Sequence, residues 1–375
     1  MAIDSKRLPA AQAKTPSEPV KRTRAENLAR IRQVWPWAFL TFLIVGFSIA
    51  SKAINNVDFI SMRSVMGILT YGTQILLLAL GETLIIIAAG IDLSVGWVLG
   101  FSAVVGAEVM KALFAAGAPP IITVGAGFIV GTLIAIVPGV LNGALITRVK
   151  VPPFIATLGV GFLFEGFALL ISGGYPVSDQ PSYLGALGNN SLLYLWPGHN
   201  VTFFQYPAES TAADMPNIVA VLPGVVVVTI VVTIIVWFIL AKTQFGQHLY
   251  AIGGNYEAAN RAGIHVKTTL VKAYALAAVL AGIAGMLWAA RFTSGAYNAG
   301  ETTQMMSIAA VVIGGASMFG GEGGIVGTVI GALCIATIQF GLVLLGVAPF
   351  WQYVAVGTVV ILAVVVDQFG RTLGK

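Results

Sequence analysis

The sequence predicts an all-α fold, a polytopic transmembrane helix bundle of about ten spans in two weakly related halves. Three observations carry that expectation. Hydrophobic residues make up 57% of the chain and charged residues 9%, with a mean hydropathy of +0.90, which leaves too little polar material to cover a water-soluble globule of 375 residues. The apolar residues fall in runs of about twenty, whereas a membrane barrel shows alternating stretches of roughly ten. Gly is abundant at 44 residues, which suits close helix approach where lipid removes the hydrophobic drive between helices.

Taken in order, residues 1–34 carry Lys6, Arg7, Lys14, Lys21, Arg22, Arg24, Arg30 and Arg32 among Pro, Ser and Ala. They lack the apolar core of a signal peptide and read as a flexible basic tail on the cytoplasmic side, resting partly on anionic lipid. The membrane domain follows over 35–367. Its apolar windows are 35–54, 64–89, 93–114, 121–147, 154–172, 218–241, 269–290, 304–319, 325–345 and 351–366, the eighth being short for a full crossing. Residues 368–375 form a second cytoplasmic tail. Ten spans with both termini in the cytoplasm put sixteen of the twenty Lys and Arg on that side, leaving Lys52, Arg63, Lys111 and Arg291 outside. The segment 173–217, with Tyr175, Tyr183, Trp196 and Tyr206, reads as an ordered extracytoplasmic loop.

A weak repeat relates 85–100 to 311–331, each copy containing a Gly-rich interruption. In the first, Asp92 within Gly90-Ile91-Asp92-Leu93-Ser94-Val95-Gly96 reads as a helix N-cap at a break near the inner membrane boundary. In the second, Gly320, Gly321, Gly323 and Gly324 around Glu322 supply a hinge. Acidic residues within apolar runs must face protein or water, since an unpaired charge there costs roughly 2.5 to 3.5 kcal/mol. The candidate translocation pathway or gate comprises Gln74, Glu82, Asp92, Ser94, Asn142, Thr157, Glu165 and Gln304, and the neutral groups along the bundle, Gln74, Asn142, Thr157, Asn298 and Gln304, suit an uncharged polyol or sugar better than an ion. Packing between helices is the competing role for Glu82 and Glu165.

The cytoplasmic segment 242–268 contains a short helix, with Asn255 as N-cap, Glu257 near its positive end and Gly263 as its stop. Its Ala258, Ala259, Arg261, Ala262 and Ile264 make a knob fit for a partner's groove, or a solvated interfacial helix. The chain has no G-x-x-x-x-G-K-[ST] loop, so any ATP that drives it binds another chain. Cys334 has no partner within the chain, and His199, His248 and His265 are scattered, so neither disulfide nor metal chemistry is expected.

Gly81-Glu82-Thr83, the Gly90 to Gly96 run, Pro152-Pro153-Phe154-Ile155-Ala156-Thr157-Leu158-Gly159, Tyr250-Ala251-Ile252-Gly253-Gly254-Asn255 and Ile308-Ala309-Ala310-Val311-Val312-Ile313-Gly314-Gly315 stand in one order over about 57–367. They resemble the ribose/xylose/galactose group of bacterial ABC importer permeases. The resemblance implies a bacterial inner-membrane subunit that imports a monosaccharide by alternating access. It implies a second permease copy, identical or not, a cytoplasmic ATPase holding the ATP and magnesium, and an extracytoplasmic solute-binding protein. No cofactor in this chain and no nucleic acid are expected, and residues 257–264 would be the coupling helix. Two departures are the stretch Gln304-Met305-Met306-Ser307, where the family often has acids, and the long aromatic outward loop. A proton-coupled carrier using Glu82, Asp92 and Glu165 is the alternative.

Overall fold

A computed structural model describes residues 24–361, apart from 212, 349, 359 and 360. The chain runs through helices α1 Arg24–Asn55, α2 Met62–Ile87, α3 Val95–Ala115, α4 Pro120–Ile134, α5 Ile136–Ala144 and α6 Pro153–Ser172. These are followed by α7 Ser182–Asn189, strands β1 Ser191–Leu195, β2 Val201–Phe203 and β3 Val219–Pro223, and α8 Gly224–Lys242. Helices α9 Gln244–Gly254, α10 Tyr256–Arg261, α11 Val266–Phe292, α12 Glu301–Ile313 and α13 Ile325–Leu344 complete the labelled elements, and residues 350–358 are again helical. Among the described residues, eight helical segments are long and apolar enough to cross a membrane, so the protein is a multi-pass membrane bundle, with α12 a shorter apolar helix.

Local chemistry sets most ends. Ser61 caps α2 by accepting from the Ser64 N–H at 3.2 Å. Pro120 and Pro153 open α4 and α6 at the position where a missing N–H is harmless, and Gly173 closes α6 with φ +65. Pro138 cannot donate to the Ile134 carbonyl, which accounts for the interruption between α4 and α5 inside one span, Pro120–Val149.

Helix α11 is the axis of the bundle, packed against α2, α3, α4, α5 and α7. Its buried face is mostly Ala and Gly, and its neighbours answer with glycines of their own. On α5, one helical turn apart, Gly139 meets the Tyr274 carbonyl and the Ala278 methyl, and Gly143 meets the Val271 backbone. No side chain fits between these helices.

Three expectations change. The helix α1 starts at Arg24, so the last residues of the expected 1–34 tail are helical; residues 1–23 and the 368–375 tail lie outside the described residues. The fold is helical but not purely so, because β2-β1-β3 form a small antiparallel sheet with Leu193 opposite Phe203 and Val221. Residues 218–223, expected to begin a membrane span, instead supply β3: a short β-branched apolar run reads alike as buried strand or helix. The sheet encloses its own core of Tyr194, Trp196 and Ile218, and the Tyr194 hydroxyl accepts from the Ser191 N–H at 2.8 Å. The long loop is thus an ordered cap, extending to Pro223 and anchored where Gly188 of α7 lies on the Ala290–Arg291 backbone of α11.

Candidate functional site

The break after α2 organises the polar interior. Ile87 ends the helix, Ala89 turns the chain with φ +61, and 88–94 doubles back inside the bundle: Gly81 rests on Ala277 of α11, while Gly90 rests on the Tyr274 hydroxyl three positions earlier. The break therefore folds back among the helices. Asp92 is not an N-cap. Helix α3 begins after Ser94, and Asp92 closes a tight turn in which its Oδ1 accepts from the Ser94 N–H (2.8 Å) and hydroxyl (2.6 Å).

Other helices bind to that turn. Asn142 of α5 donates its Nδ2 to the Ser94 hydroxyl at 2.8 Å. Thr157 of α6 accepts the Leu93 N–H at 3.1 Å, and Gln304 of α12 accepts the Gly96 N–H through Oε1 at 3.1 Å. All five polar side chains are buried. The network satisfies backbone N–H groups that the break strips of helical partners, each such bond contributing about 0.5 to 1.5 kcal/mol. Beside it lie groups with no partner among the described residues: both oxygens of Glu82, Oδ2 of Asp92, Oδ1 of Asn142 and the Tyr274 hydroxyl. Two of the eight pathway candidates stand apart. Gln74 is half-buried two turns along α2 from Glu82, and Glu165 is half-buried on α6, where it feels the Glu301 carboxylate.

The two interruptions related by the repeat touch each other. Gly321 donates its N–H to the Ile87 carbonyl at 2.9 Å, and Gly320, at φ +85, lies against Ala89. Gly321 and Gly323 also take positive φ, whereas Gly324 is extended at φ 178 and could be any residue, so the expected four-glycine hinge needs only three.

The segment 242–268 holds two helices, not one. Thr243 caps α9, accepting the Gly246 N–H, and the chain bends at Asn255, whose Oδ1 accepts the Ala258 N–H at 2.9 Å to cap α10. Gly263 ends the element at φ +84. Asn255, Glu257, Ala258, Arg261, Ala262 and Gly263 are exposed, with Glu257 and Arg261 paired at 3.9 Å. Ala259 is buried and Ile264 packs against the α8–α11 core, so these two anchor the knob and do not belong to its surface.

Sequence reasoning missed how this element meets the breaks. Gly253 of α9 packs directly on the Ile87 carbonyl and the Gly321 N–H, where a Cβ has no room. Tyr250, one turn earlier, donates its hydroxyl to the Gly323 carbonyl at 2.8 Å. The Gly253-Gly254 pair was the available signal, but spacing alone does not show which glycine needs the missing side chain; Gly254 also borders Gly321, yet a Cβ there has open space.

The family described as "Branched-chain amino acid transport system / permease component" matches residues 64–364. The ribose import permease protein RbsC of Bacillus subtilis (strain 168) is 35% identical over 90% of this chain and 93% of its own length. The fructose import permease protein FrcC of Rhizobium meliloti is 32% identical over 93% of this chain and 90% of its own. The galactose/methyl galactoside import permease protein MglC of Escherichia coli (strain K12) is 32% identical over 88% and 96%. No solved structure matches the chain. With a family match spanning most of its length and relatives alike along nearly their whole chains, this protein belongs to the permease-component family of bacterial transport systems.

Proposed function

We propose that this chain is the membrane-spanning permease of an ATP-binding cassette importer for a monosaccharide, embedded in the bacterial inner membrane. Its named relatives import ribose, fructose and galactose. The single observation that carries the mechanism is the contact of α9 with both chain breaks, through Gly253 and Tyr250. A cytoplasmic ATPase seated on the exposed face of α10, at Asn255, Glu257, Ala258, Arg261, Ala262 and Gly263, moves α9, and α9 pulls on 88–94 and 314–324. The positive-φ glycines at 320, 321 and 323 act as the hinge. Glu82, Asp92, Ser94, Asn142, Thr157 and Gln304 form the inner gate that holds the re-entrant turn, with Gln74 and Glu165 further along the path.

The reading includes ten spans with cytoplasmic termini, counting α12 and the helix at 350–358. Arg63, Lys111 and Arg291 sit toward the sheet end, which supports placing that end outside: Lys111 pairs with Asp179 at 3.4 Å, Arg63 donates to Ile218 of the cap, and Asn189 of α7 donates to the Arg291 carbonyl. The cap over 173–223 then faces the solute-binding protein. ATP and magnesium belong to the ATPase, and a second permease copy completes the path. The helical knob outside every span favours this reading over a proton-coupled carrier, which has no use for an ATPase dock.

The test is uptake in vesicles holding the permease, its ATPase and the binding protein. Uptake should require ATP and the ATPase chain, and Gly253→Ala should abolish the stimulation of ATP hydrolysis by loaded binding protein, while Gly254→Ala retains it. Uptake by the permease alone, driven by a proton gradient, overturns the reading.

A further inference from the structure

We propose that the transported sugar rests on an open surface formed by Trp97, Phe162, Glu165 and Glu301, and not within the closed network around Asp92; this rests on the importer reading above. The four residues come from three elements brought together by glycine contacts. The Trp97 ring lies against Gly161 of α6 and packs on Phe162, with centroids 4.9 Å apart at 38°. Gly96 and Gly300 touch backbone to backbone, which brings the start of α12, with Glu301 its first residue, to the start of α3 next to Trp97 in sequence. Glu165 follows Phe162 by three positions, on the same side of α6, and feels the Glu301 carboxylate across the gap.

The two carboxylates stand among exposed apolar side chains of α6, Phe162, Leu163 and Phe167. Glu165 stands about 18 Å along α6 from Pro153, well inside the span. Glu301 is exposed, and so are Asn298 and Thr302 next to it. Charged groups facing acyl chains there would each cost roughly 2.5 to 3.5 kcal/mol, so this face meets water or protein. The open side of α8, by comparison, is Ile, Val, Trp and Phe with no acid among them.

The chemistry fits a neutral sugar. A pyranose or furanose ring has an apolar C–H face that lies on an aromatic ring, and Phe162 offers one at 58% exposure with Trp97 behind it. Its hydroxyl groups donate to carboxylates in short charge-assisted bonds, and Glu165 and Glu301 offer two such acceptors. Asp92, Ser94, Asn142, Thr157 and Gln304 spend hydrogen bonds on one another and on backbone N–H groups, so they position the turn rather than meet solute.

The experiment uses the complete transporter in vesicles, with Cys334→Ala as background. Phe162→Cys and Ile234→Cys place a thiol near the middle of α6 and of α8 at sites of equal exposure, 58% each. A charged, membrane-impermeant thiol reagent should modify Phe162→Cys at least about tenfold faster, and ribose, galactose or fructose, whichever the wild type takes up, should slow that reaction, whereas Ile234→Cys should not respond. Glu165→Gln and Glu301→Gln should each raise KM for uptake about tenfold, as expected when a bond to a charged acceptor is weakened. Equal modification of the two thiols, no protection by the imported sugar, or unchanged KM in both Gln variants overturns the proposal. Absence of ATP-dependent sugar uptake by the wild type would instead sink the importer reading, and the rate contrast between the thiols is read independently of transport.

Discussion

At Asp92 the two carboxyl oxygens have different surroundings. Oδ1 takes two donors from Ser94, and Oδ2 takes none among the described residues. The turn therefore needs an acceptor at one position and tolerates a neutral group at the other. Asp92→Asn keeps the acceptor and removes a buried carboxylate oxygen, whereas Asp92→Ala strips partners from a buried hydroxyl and a buried N–H. We expect Asp92→Ala to lower stability by about 1 to 3 kcal/mol and Asp92→Asn by clearly less. Thermal unfolding of the purified protein in detergent measures the difference, and equal losses would mean that the charge, not the acceptor, holds the turn. Glu82 shows the opposite case, a buried acid on α2 with neither oxygen engaged, which sequence position alone could not separate from Asp92.

Between elements, the contact of α9 with the second break is a single hydrogen bond beside a steric fit. The Tyr250 phenol donates to the Gly323 carbonyl, and burial pushes its pKa above the usual tyrosine value. A raised folded-state pKa means that the bond contributes in full below the unfolded pKa of about 10 and is lost as pH rises through the folded value. Tyr250→Phe should therefore lower the unfolding midpoint near neutral pH by the equivalent of about 1 kcal/mol, and the two proteins should converge at strongly alkaline pH. Midpoints that stay equally separated across that range would show that the ring's packing, and not its hydroxyl, is what matters. The same element shows how short distances decide function: Gly253 and Gly254 are chemically identical neighbours, but only the first lies on the backbone of both breaks.

Over the whole molecule, cohesion comes from close backbone approach around α11. Glycines on α2, α3, α4 and α5 meet it or its Met286 side chain, and in lipid such contacts replace hydrophobic burial as the source of stability. Gly143→Ala puts a methyl against the Val271 backbone and should displace α5, whereas Gly125→Ala on α4 points into open space. We expect the first to reduce the yield of monodisperse protein and lower Tm by several degrees, a change of about 1 to 3 kcal/mol typical of overpacking, and the second to leave both unchanged. Size-exclusion profiles and melting curves of the two variants decide it. Similar behaviour would mean that α5 can slide on α11 without loss.

Composition and run length by themselves determined that this is a multi-pass helical membrane protein, because hydropathy over about twenty residues depends on no distant contact. Each of the ten apolar windows contains a helix, and the Asn255 cap and the Gly263 stop were also legible, since both are settled within one helical turn. The 218–223 strand was not, because an apolar run that short takes its conformation from its neighbours, here β1. Tertiary structure alone decided that 88–94 folds back among the helices, that the two glycine-rich breaks meet under α9, and that half-buried Glu165 of α6 comes near exposed Glu301 of α12. Those depend on which helices touch, and helix contacts in lipid are set by shape between residues hundreds of positions apart, which no local pattern encodes.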